Sequence, residues 1–166
     1  MKLVVGLGNP GEKYKNTRHN AGFLVAEELQ KQITKSKSQI PNKAQILIFK
    51  SKNFMNDSGN FVKKLINRYS LSTNNLFVIH DDLDIPLGSY KIQFGTGPKV
   101  HNGVNSVEQE LGTKDFWRIR VGVDNRSSND RIQGEDYVLE DFKGDERKLL
   151  DGVIEKICKE TNNLLQ

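Results

Sequence analysis

Three histidines are the side chains of this sequence best suited to act as a base at neutral pH: His19, His80 and His101. Each lies in a polar cluster. A histidine base works best when a carboxylate fixes its tautomer and stabilises the imidazolium that forms. Three carboxylates that closely follow one histidine are candidates for that role: Asp81, Asp82 and Asp84. Any one histidine is more often a capping or solvated residue, so the prediction of a histidine base depends on the clusters occurring together.

Asparagines accompany these groups, with Asn9, Asn56 and Asn102 each in its own polar cluster. A neutral amide both donates and accepts hydrogen bonds, so three converging amides are able to hold the backbone of a peptide. One of them is also able to donate to a developing oxyanion. A single asparagine is more often a turn or cap residue, and again the joint occurrence carries the prediction.

A covalent nucleophile is not indicated. No serine lies in a G-x-S-x-G motif, and Cys158 belongs to an amphipathic helical pattern that predicts a packed core thiol. Attack by water, aided by a base, is the simpler chemistry. The sequence has no H-E-x-x-H or C-x-x-C motif, so we predict no metal. A Mg²⁺ site at Asp81, Asp82 and Asp84 stays open as an alternative.

The stretch 6–11, Gly-Leu-Gly-Asn-Pro-Gly, matches the dinucleotide pattern G-x-G-x-x-G. That pattern requires a helix to begin at once. Here Pro10-Gly11 predicts a turn, with about eight polar residues before any helical periodicity, and Glu27 and Glu28 lie inside a predicted helix. A nucleotide-binding oxidoreductase is therefore a minor alternative, which a failure to bind labelled NAD would remove.

Composition places limits on the class of protein. The 166 residues are 36% hydrophobic and 28% charged, which predicts a single domain over 1–166 with a hydrophobic core. The sequence shows no apolar run near the roughly 20 residues of a membrane span and no secretory pattern at its start. One cysteine fits a reducing compartment, so we expect the cytoplasm. The net charge of +4 suits an anionic partner but is weak evidence alone.

Alternating strands and helices must position these side chains, and they predict an α/β fold with a largely parallel or mixed sheet. The predicted strands are 2–7, 44–50, 75–80, 89–94 and 116–123. The predicted helices are 20–33, 56–69, 103–111 and 144–165. Polar loops are expected at 8–19, 34–43, 95–103 and 124–135. Candidate helix caps are Asn56, Asp57 or Ser58 for the second helix and Asp145 for the last. In the strand 116–123, Arg118 and Arg120 are predicted on the face opposite the apolar residues.

Together the clusters resemble bacterial-type peptidyl-tRNA hydrolase. The matching stretches are VVGLGNPGEKY, TRHNAGF, FMNDSG, HDDLDIPLG, HNG, FWRIRVGV and YVLEDF. They occur in the order of that family and cover the chain from residue 3 to about 142.

The resemblance implies a fold, a reaction and a set of roles. The expected fold is a single domain with a twisted mixed sheet flanked by helices, monomeric and without a cofactor. The expected substrate is peptidyl-tRNA or an N-blocked aminoacyl-tRNA, cleaved at the ester by water. The resemblance implies His19 as the general base and Asp81 as its orienting partner. Implied substrate contacts are Asn9, Asn56 and Asn102, the last also an oxyanion contact, with Tyr14 and Met55 lining the same cleft. Implied supporting residues are His80, Asp82, Asp84 and His101.

Contacts to tRNA phosphates are where the chain departs from the family pattern. Arg120 matches one half of a phosphate-binding pair, but Gln93 stands where a basic residue is usual. Lys91 or Lys99 is a candidate to compensate. The segment 34–43 is shorter than usual. The leading alternative is a non-catalytic RNA-binding protein on the same scaffold, against which the retained His19 and Asp81 argue.

Overall fold

The computed structural model describes residues 1–36 and 45–166, and one five-stranded sheet organises them. Its strands are β1 (Lys2–Gly6), β2 (Ile46–Lys50), β3 (Leu76–Pro86), β4 (Tyr90–Phe94) and β5 (Trp117–Asp124). The order across the sheet is β2-β1-β3-β5-β4. All neighbouring strands run parallel except β4, which pairs antiparallel with β5. The expected mixed, largely parallel α/β sheet is confirmed.

Helices cover both faces of this sheet. They are α1 (Ala21–Ser36), α2 (Ser58–Tyr69), α3 (Asn102–Leu111), α4 (Gly134–Tyr137) and α5 (Gly144–Leu165). Apolar residues of α1 and α5 pack on one face, and those of α2 and α3 pack on the other. Strands covered on both sides read as continuous apolar runs, which is why β1 and the start of β3 are so apolar. Cys158 is buried in the α5 layer, as predicted, and burial raises its pKa to about 12.

Several predicted boundaries are wrong, each for a local reason. β3 continues past residue 80 to Pro86, because its polar residues pair with β5 instead of entering a loop. The region 124–135 is not a loop throughout, since α4 begins at Gly134. The last helix is capped by Lys143 and not by Asp145, since the Lys143 N–H donates to Glu146 Oε1 at 2.9 Å.

Residues 34–36 of the loop expected at 34–43 instead belong to α1, which continues to Ser36; residues 37–44 lie outside the described part of the chain. Asp57 occupies the N-cap position of α2, one of the three residues named for it, but its side chain makes no capping bond. No helix among the described residues is long and apolar enough to cross a membrane.

Strand β5 is buried on both faces. Arg118 and Arg120, expected opposite the apolar residues, are 0% and 7% exposed. Each is neutralised by a carboxylate, with Arg118 Nη2 2.6 Å from Glu108 Oε1 and Arg120 Nε 2.7 Å from Asp82 Oδ2. Buried arginines require such partners, so this face of β5 holds ion pairs and does not contact solvent.

Candidate active site

Most of the predicted site residues meet at one edge of the sheet, where the parallel strands end. A cavity of about 580 Å³ opens there between loops that follow β1 and β2, the middle of β3, the start of α3 and the α4 segment. Seven of the residues predicted for the site line it: Asn9, His19, Met55, Asn56, Asp81, His101 and Asn102. The carboxyl edge of an open α/β sheet is the usual position for a ligand site.

Asp81 lies at the centre of this arrangement. His19 Nδ1 is 2.9 Å from both carboxylate oxygens, and His101 Nε2 is 2.8 Å from Oδ1. Asp81 is almost fully buried, while His19 keeps 13% of its side chain exposed toward the cavity. One carboxylate therefore orients two imidazole rings, of which His19 has access to solvent.

Hydrogen bonding fixes the tautomer of His101. Its Nδ1 accepts from the Val104 N–H at 3.1 Å, because His101 caps the N-terminus of α3. Since a backbone N–H only donates, Nδ1 carries no proton, and Nε2 donates to Asp81. Both ring nitrogens of His101 are thus occupied, which agrees with a supporting role; that role stays a prediction.

His19 keeps one nitrogen for chemistry. Its Nδ1 donates to Asp81, so in the neutral ring Nε2 carries the lone pair. Burial works to lower the pKa of His19, but the charge of Asp81 and the hydrogen bond to it raise that pKa above the ordinary 6.5 overall. Burial likewise opposes ionisation of Asp81, yet the two histidines hold its pKa well below the usual range. This geometry suits a general base oriented by a permanently charged carboxylate.

His80 is fully buried in β3, and its side chain does not bind the carboxylate of Asp81 as His19 and His101 do. Its Nδ1 is 2.7 Å from the Asp81 carbonyl oxygen and donates to it, and its ring meets that of His101 edge-on, with centroids 5.0 Å apart. Burial, with the neighbouring His101, lowers the pKa of His80 to about 3. The ring is therefore neutral and has no solvent-exposed nitrogen, which excludes it as the base.

Asn9 is held by three hydrogen bonds that also set which way its amide points. Its backbone N–H donates to Asn20 Oδ1 at 2.8 Å, and Asn20 Nδ2 donates back to the Asn9 carbonyl at 2.9 Å. Its own Oδ1 accepts from the Met55 N–H at 2.9 Å. Because that N–H requires an oxygen, the Asn9 Nδ2 group is the part left to donate into the cavity.

Asn56 and Asn102 are exposed residues of the cavity wall. Met55 between Asn9 and Asn56 is 3% exposed and packs against the start of α3. A Cβ atom at Gly103 would lie 2.4 Å from Met55 Sδ and 3.1 Å from the His101 ring, so only glycine permits this close approach. The loop that carries Asn56 and the start of α3, which carries Asn102, are therefore in direct contact.

Arg18 supports the His19 loop, a role that sequence reasoning missed. The side chain is 1% exposed; Nη2 lies 2.8 Å from Glu146 Oε1 and Nη1 donates to the Tyr137 carbonyl at 3.1 Å. The next backbone N–H, that of His19, donates to the Val138 carbonyl at 2.7 Å. An arginine directly before a histidine in a polar loop was the available signal, but its partners are more than 100 residues away.

Two predicted substrate contacts lie outside the cavity wall. Tyr14 lies beside it, with its ring edge-on to Phe54 at a centroid distance of 6.2 Å. Arg120 donates to Asp82 and, from Nη1, to Gln93 Oε1 at 2.7 Å. Gln93, which stands in place of a basic residue, is thus a direct partner of Arg120.

Two clusters are candidates for a metal site: the carboxylates Asp81, Asp82 and Asp84, and the group around Asp81 that includes two histidines. Both oxygens of Asp82 are occupied, Oδ2 by Arg120 and Oδ1 by the Asp84 N–H at 2.8 Å, which does not support a Mg²⁺ site with Asp81 and Asp84. Among the described residues, ligand atoms of His19, Asp81 and His101 lie within 4.8 Å of one another. A metal ion there would have to replace the protons that both rings donate to Asp81.

A buried carboxylate, a histidine with one free nitrogen and a wall of amides are the groups that hydrolysis aided by a general base requires. The glycine-rich stretch 6–11 is followed by a 3-10 turn, Glu12–Tyr14, and the first α-helix begins only at Ala21, so the dinucleotide-binding alternative gains no support.

Comparison with known proteins agrees with this class. A family model for peptidyl-tRNA hydrolase matches residues 3–166. The peptidyl-tRNA hydrolase of Syntrophomonas wolfei is 41% identical, with 94% of this chain and 88% of that protein covered. That of Geotalea daltonii is 40% identical, with 95% and 88% covered. The crystal structure of the Acinetobacter baumannii enzyme superposes with a TM-score of 0.80 at 29% identity, covering 100% of this chain and 89% of the other. This chain belongs to the peptidyl-tRNA hydrolase family.

Proposed function

We propose that the cavity hydrolyses the ester between the acyl group and the 3′-terminal ribose of peptidyl-tRNA, with His19 as the general base. Water bonds to the carbonyl carbon while His19 Nε2 removes its proton. The carbon–oxygen bond to the ribose then breaks, and the proton passes to the leaving ribose oxygen. The products are a free peptide and a tRNA ready for reuse.

The observation that carries this proposal is the pairing of His19 Nδ1 with both oxygens of buried Asp81. Asp81 holds the ring in the tautomer that leaves Nε2 unprotonated, and its charge stabilises the imidazolium. Because His101 has no free nitrogen and His80 is enclosed, His19 is the histidine assigned to the chemical step.

The amides supply the remaining binding groups. Asn9 Nδ2 is proposed to hold an acyl carbonyl, and exposed Asn56 to contact the peptide backbone. Asn102 is proposed to donate to the oxyanion that forms during water attack, since it follows His101 directly on the cavity wall. Met55 is proposed to position Asn9, which accepts from its backbone N–H, and Asn56, which follows it in the chain. Tyr14 is proposed to contact substrate beyond Phe54.

The body of the tRNA is proposed to bind outside the cavity. Arg120 is the proposed phosphate contact, although Asp82 already offsets its charge. Exposed Lys91, beside Gln93 on β4, and exposed Lys99 are proposed to add the charge that Gln93 lacks. A monomeric state and a cytoplasmic location stay predictions of the sequence.

The test is release of labelled N-acetyl-aminoacyl groups from tRNA by the wild type and by His19→Ala, with unblocked aminoacyl-tRNA as the control substrate. Turnover of the blocked substrate that is lost in the variant supports both the reaction and the base. Tight tRNA binding without turnover contradicts the proposal and favours the non-catalytic RNA-binding alternative.

A further inference from the structure

Large apolar side chains remain exposed around the rim of the active-site cavity. Phe54 is 59% exposed, Val100 is 80% exposed and Leu139 is 48% exposed, and all three line the cavity. They come from three separate segments, which follow β2, precede α3 and follow α4. Exposed apolar side chains that gather around a polar cleft mark a contact surface for a ligand with apolar groups.

The charges of the cavity indicate which part of the substrate meets this rim. Among the residues the structure describes, no lysine or arginine lines the cavity, and its carboxylates are Asp81 and Glu135. Such a wall disfavours phosphate, which requires basic side chains or backbone N–H groups. The acyl end of the substrate is therefore the part that enters.

We propose that Val100 and Leu139 bind apolar side chains of the acyl group next to the ester, so that the enzyme prefers peptides with an apolar residue there. This inference depends on the proposed ester hydrolysis. Val100 directly precedes His101, whose Nε2 contacts Asp81, which places Val100 beside the reacting centre. Leu139 directly follows Val138, whose carbonyl accepts from the His19 N–H, and the two lie on the same wall.

The competing occupant is the terminal adenine of the tRNA. Bases bind mainly by stacking on aromatic or arginine side chains, whereas Val100 and Leu139 are aliphatic. Phe54 is the aromatic member of the rim and already contacts the Tyr14 ring. The aliphatic pair is thus better matched to peptide side chains, and the experiment separates the two occupants.

The experiment uses one tRNA body charged with either N-acetyl-glycine or N-acetyl-leucine and compares kcat/KM for the two. We expect the wild type to prefer the leucyl substrate by about tenfold, the size of a modest apolar contact. Val100→Ser and Leu139→Ser should each reduce that ratio to about threefold or less, mainly by lowering the leucyl value. The matched control is Leu149→Ser on α5, which removes a side chain of 56% exposure away from the cavity wall and should leave the ratio unchanged.

Two results would overturn the inference while leaving ester hydrolysis intact. One is equal kcat/KM for the two acyl groups in the wild type. The other is a loss of the same factor for both substrates in the Val100 and Leu139 variants, which would indicate contact with the adenine. Absence of turnover of either substrate by the wild type would contradict the proposed function itself, and this inference with it.

Discussion

A backbone N–H decides which of the two histidines beside Asp81 keeps a free ring nitrogen. Both rings donate to the same carboxylate, but His101 uses its second nitrogen to accept from the Val104 N–H at the start of α3. His19 Nε2 has no such partner among the described residues, and His19 faces the cavity. Residue type alone does not separate the two, since each is a histidine in a polar cluster. Helix capping does.

Replacing His19 by alanine should lower kcat by roughly 10²–10⁴-fold, because the base is lost. Its ring is partly exposed and its loop is held by Arg18 and backbone bonds, so the fold should persist. Single-turnover hydrolysis measures the chemical step, and circular dichroism checks the fold. A variant that is folded and retains the wild-type rate would remove His19 from the mechanism.

Activity should fall as the pH drops through the pKa of His19, which lies above 6.5, because only the neutral ring accepts a proton. In Asp81→Asn the charge that raises this pKa is gone, so the acidic limb of kcat/KM should move to lower pH. The plateau rate should also fall, since the ring loses its orienting acceptor. A pH–rate profile of both proteins measures this; an acidic limb at the same pH in the variant would show that another group controls it.

His80 predicts a loss of stability in acid. Its folded pKa of about 3 lies below the unfolded 6.5, so between these values the unfolded state binds the proton and the folded state does not. The free energy of unfolding should therefore decrease as pH falls from 6.5, by on the order of 2 kcal/mol at pH 5. His19 has the opposite shift, and its contribution is complete below 6.5, so it adds no slope there.

Urea unfolding of the wild type and of His80→Asn at pH 5 and 7 tests this effect. The variant removes the titrating group and keeps a side-chain donor, so its free energy of unfolding should change less between the two pH values. Equal changes in the two proteins would contradict the assignment.

At the scale of the elements, patterns of apolar residues predicted most strands and helices, but not the polar residues by which β3 extends beyond its apolar part. The apolar run of β3 ends at Ile79, so the sequence predicted a strand that ends at residue 80 and leaves the polar residues Asp81, Asp82 and Asp84 outside it. These polar residues instead stay in the strand, because partners from α3, β5 and the His19 loop satisfy them inside the protein. Short-range periodicity carries no information about such distant partners.

The same limit explains what was predicted of the site. The polar clusters and the family resemblance identified seven residues of the cavity wall, since each cluster is local in sequence. Arg18 and Asn20 were missed because their roles depend on Glu146 and on the Asn9 backbone. Tyr14 and Arg120 were named from motif position, which does not fix whether a side chain reaches the cavity wall.

Arg18→Ala should destabilise the protein by about 3–5 kcal/mol, because it leaves Glu146 buried without its cation. Arg147→Ala is the matched control: it breaks an ion pair with Asp151 on the surface of α5 and should cost less than about 1 kcal/mol. Denaturant unfolding of both variants gives the comparison. Similar losses in the two would show that burial of the Arg18 pair has no special weight.

At the scale of the whole molecule, the positively charged side chains that the structure describes lie away from the cavity. The net charge is +4, yet no basic side chain of the described residues lines the cavity. We therefore expect the phosphates of a bound tRNA to meet cations elsewhere on the surface, so that the cleft selects the acyl end of a large polyanion.

The double variant Lys91→Ala with Lys99→Ala should weaken tRNA binding and reduce the slope of log affinity against log salt by roughly one unit for each phosphate that is no longer bound. Lys156→Ala with Lys159→Ala on α5 is the control of equal charge, since α5 contributes nothing to the cavity wall. Filter binding of uncharged tRNA over a range of salt measures both. An unchanged slope in the first variant would remove Lys91 and Lys99 as phosphate-binding residues.

The bond between Arg18 and Glu146 joins positions 128 residues apart. During synthesis, His19 leaves the ribosome early, whereas the carboxylate that secures its loop follows only when α5 emerges. A partly made chain that ends after β5 already contains His19, Asp81, His101, Asn9, Asn56 and Asn102. It lacks Glu146, the carboxylate that binds Arg18 in the His19 loop. Support of the His19 loop is thus tied to the synthesis of α5.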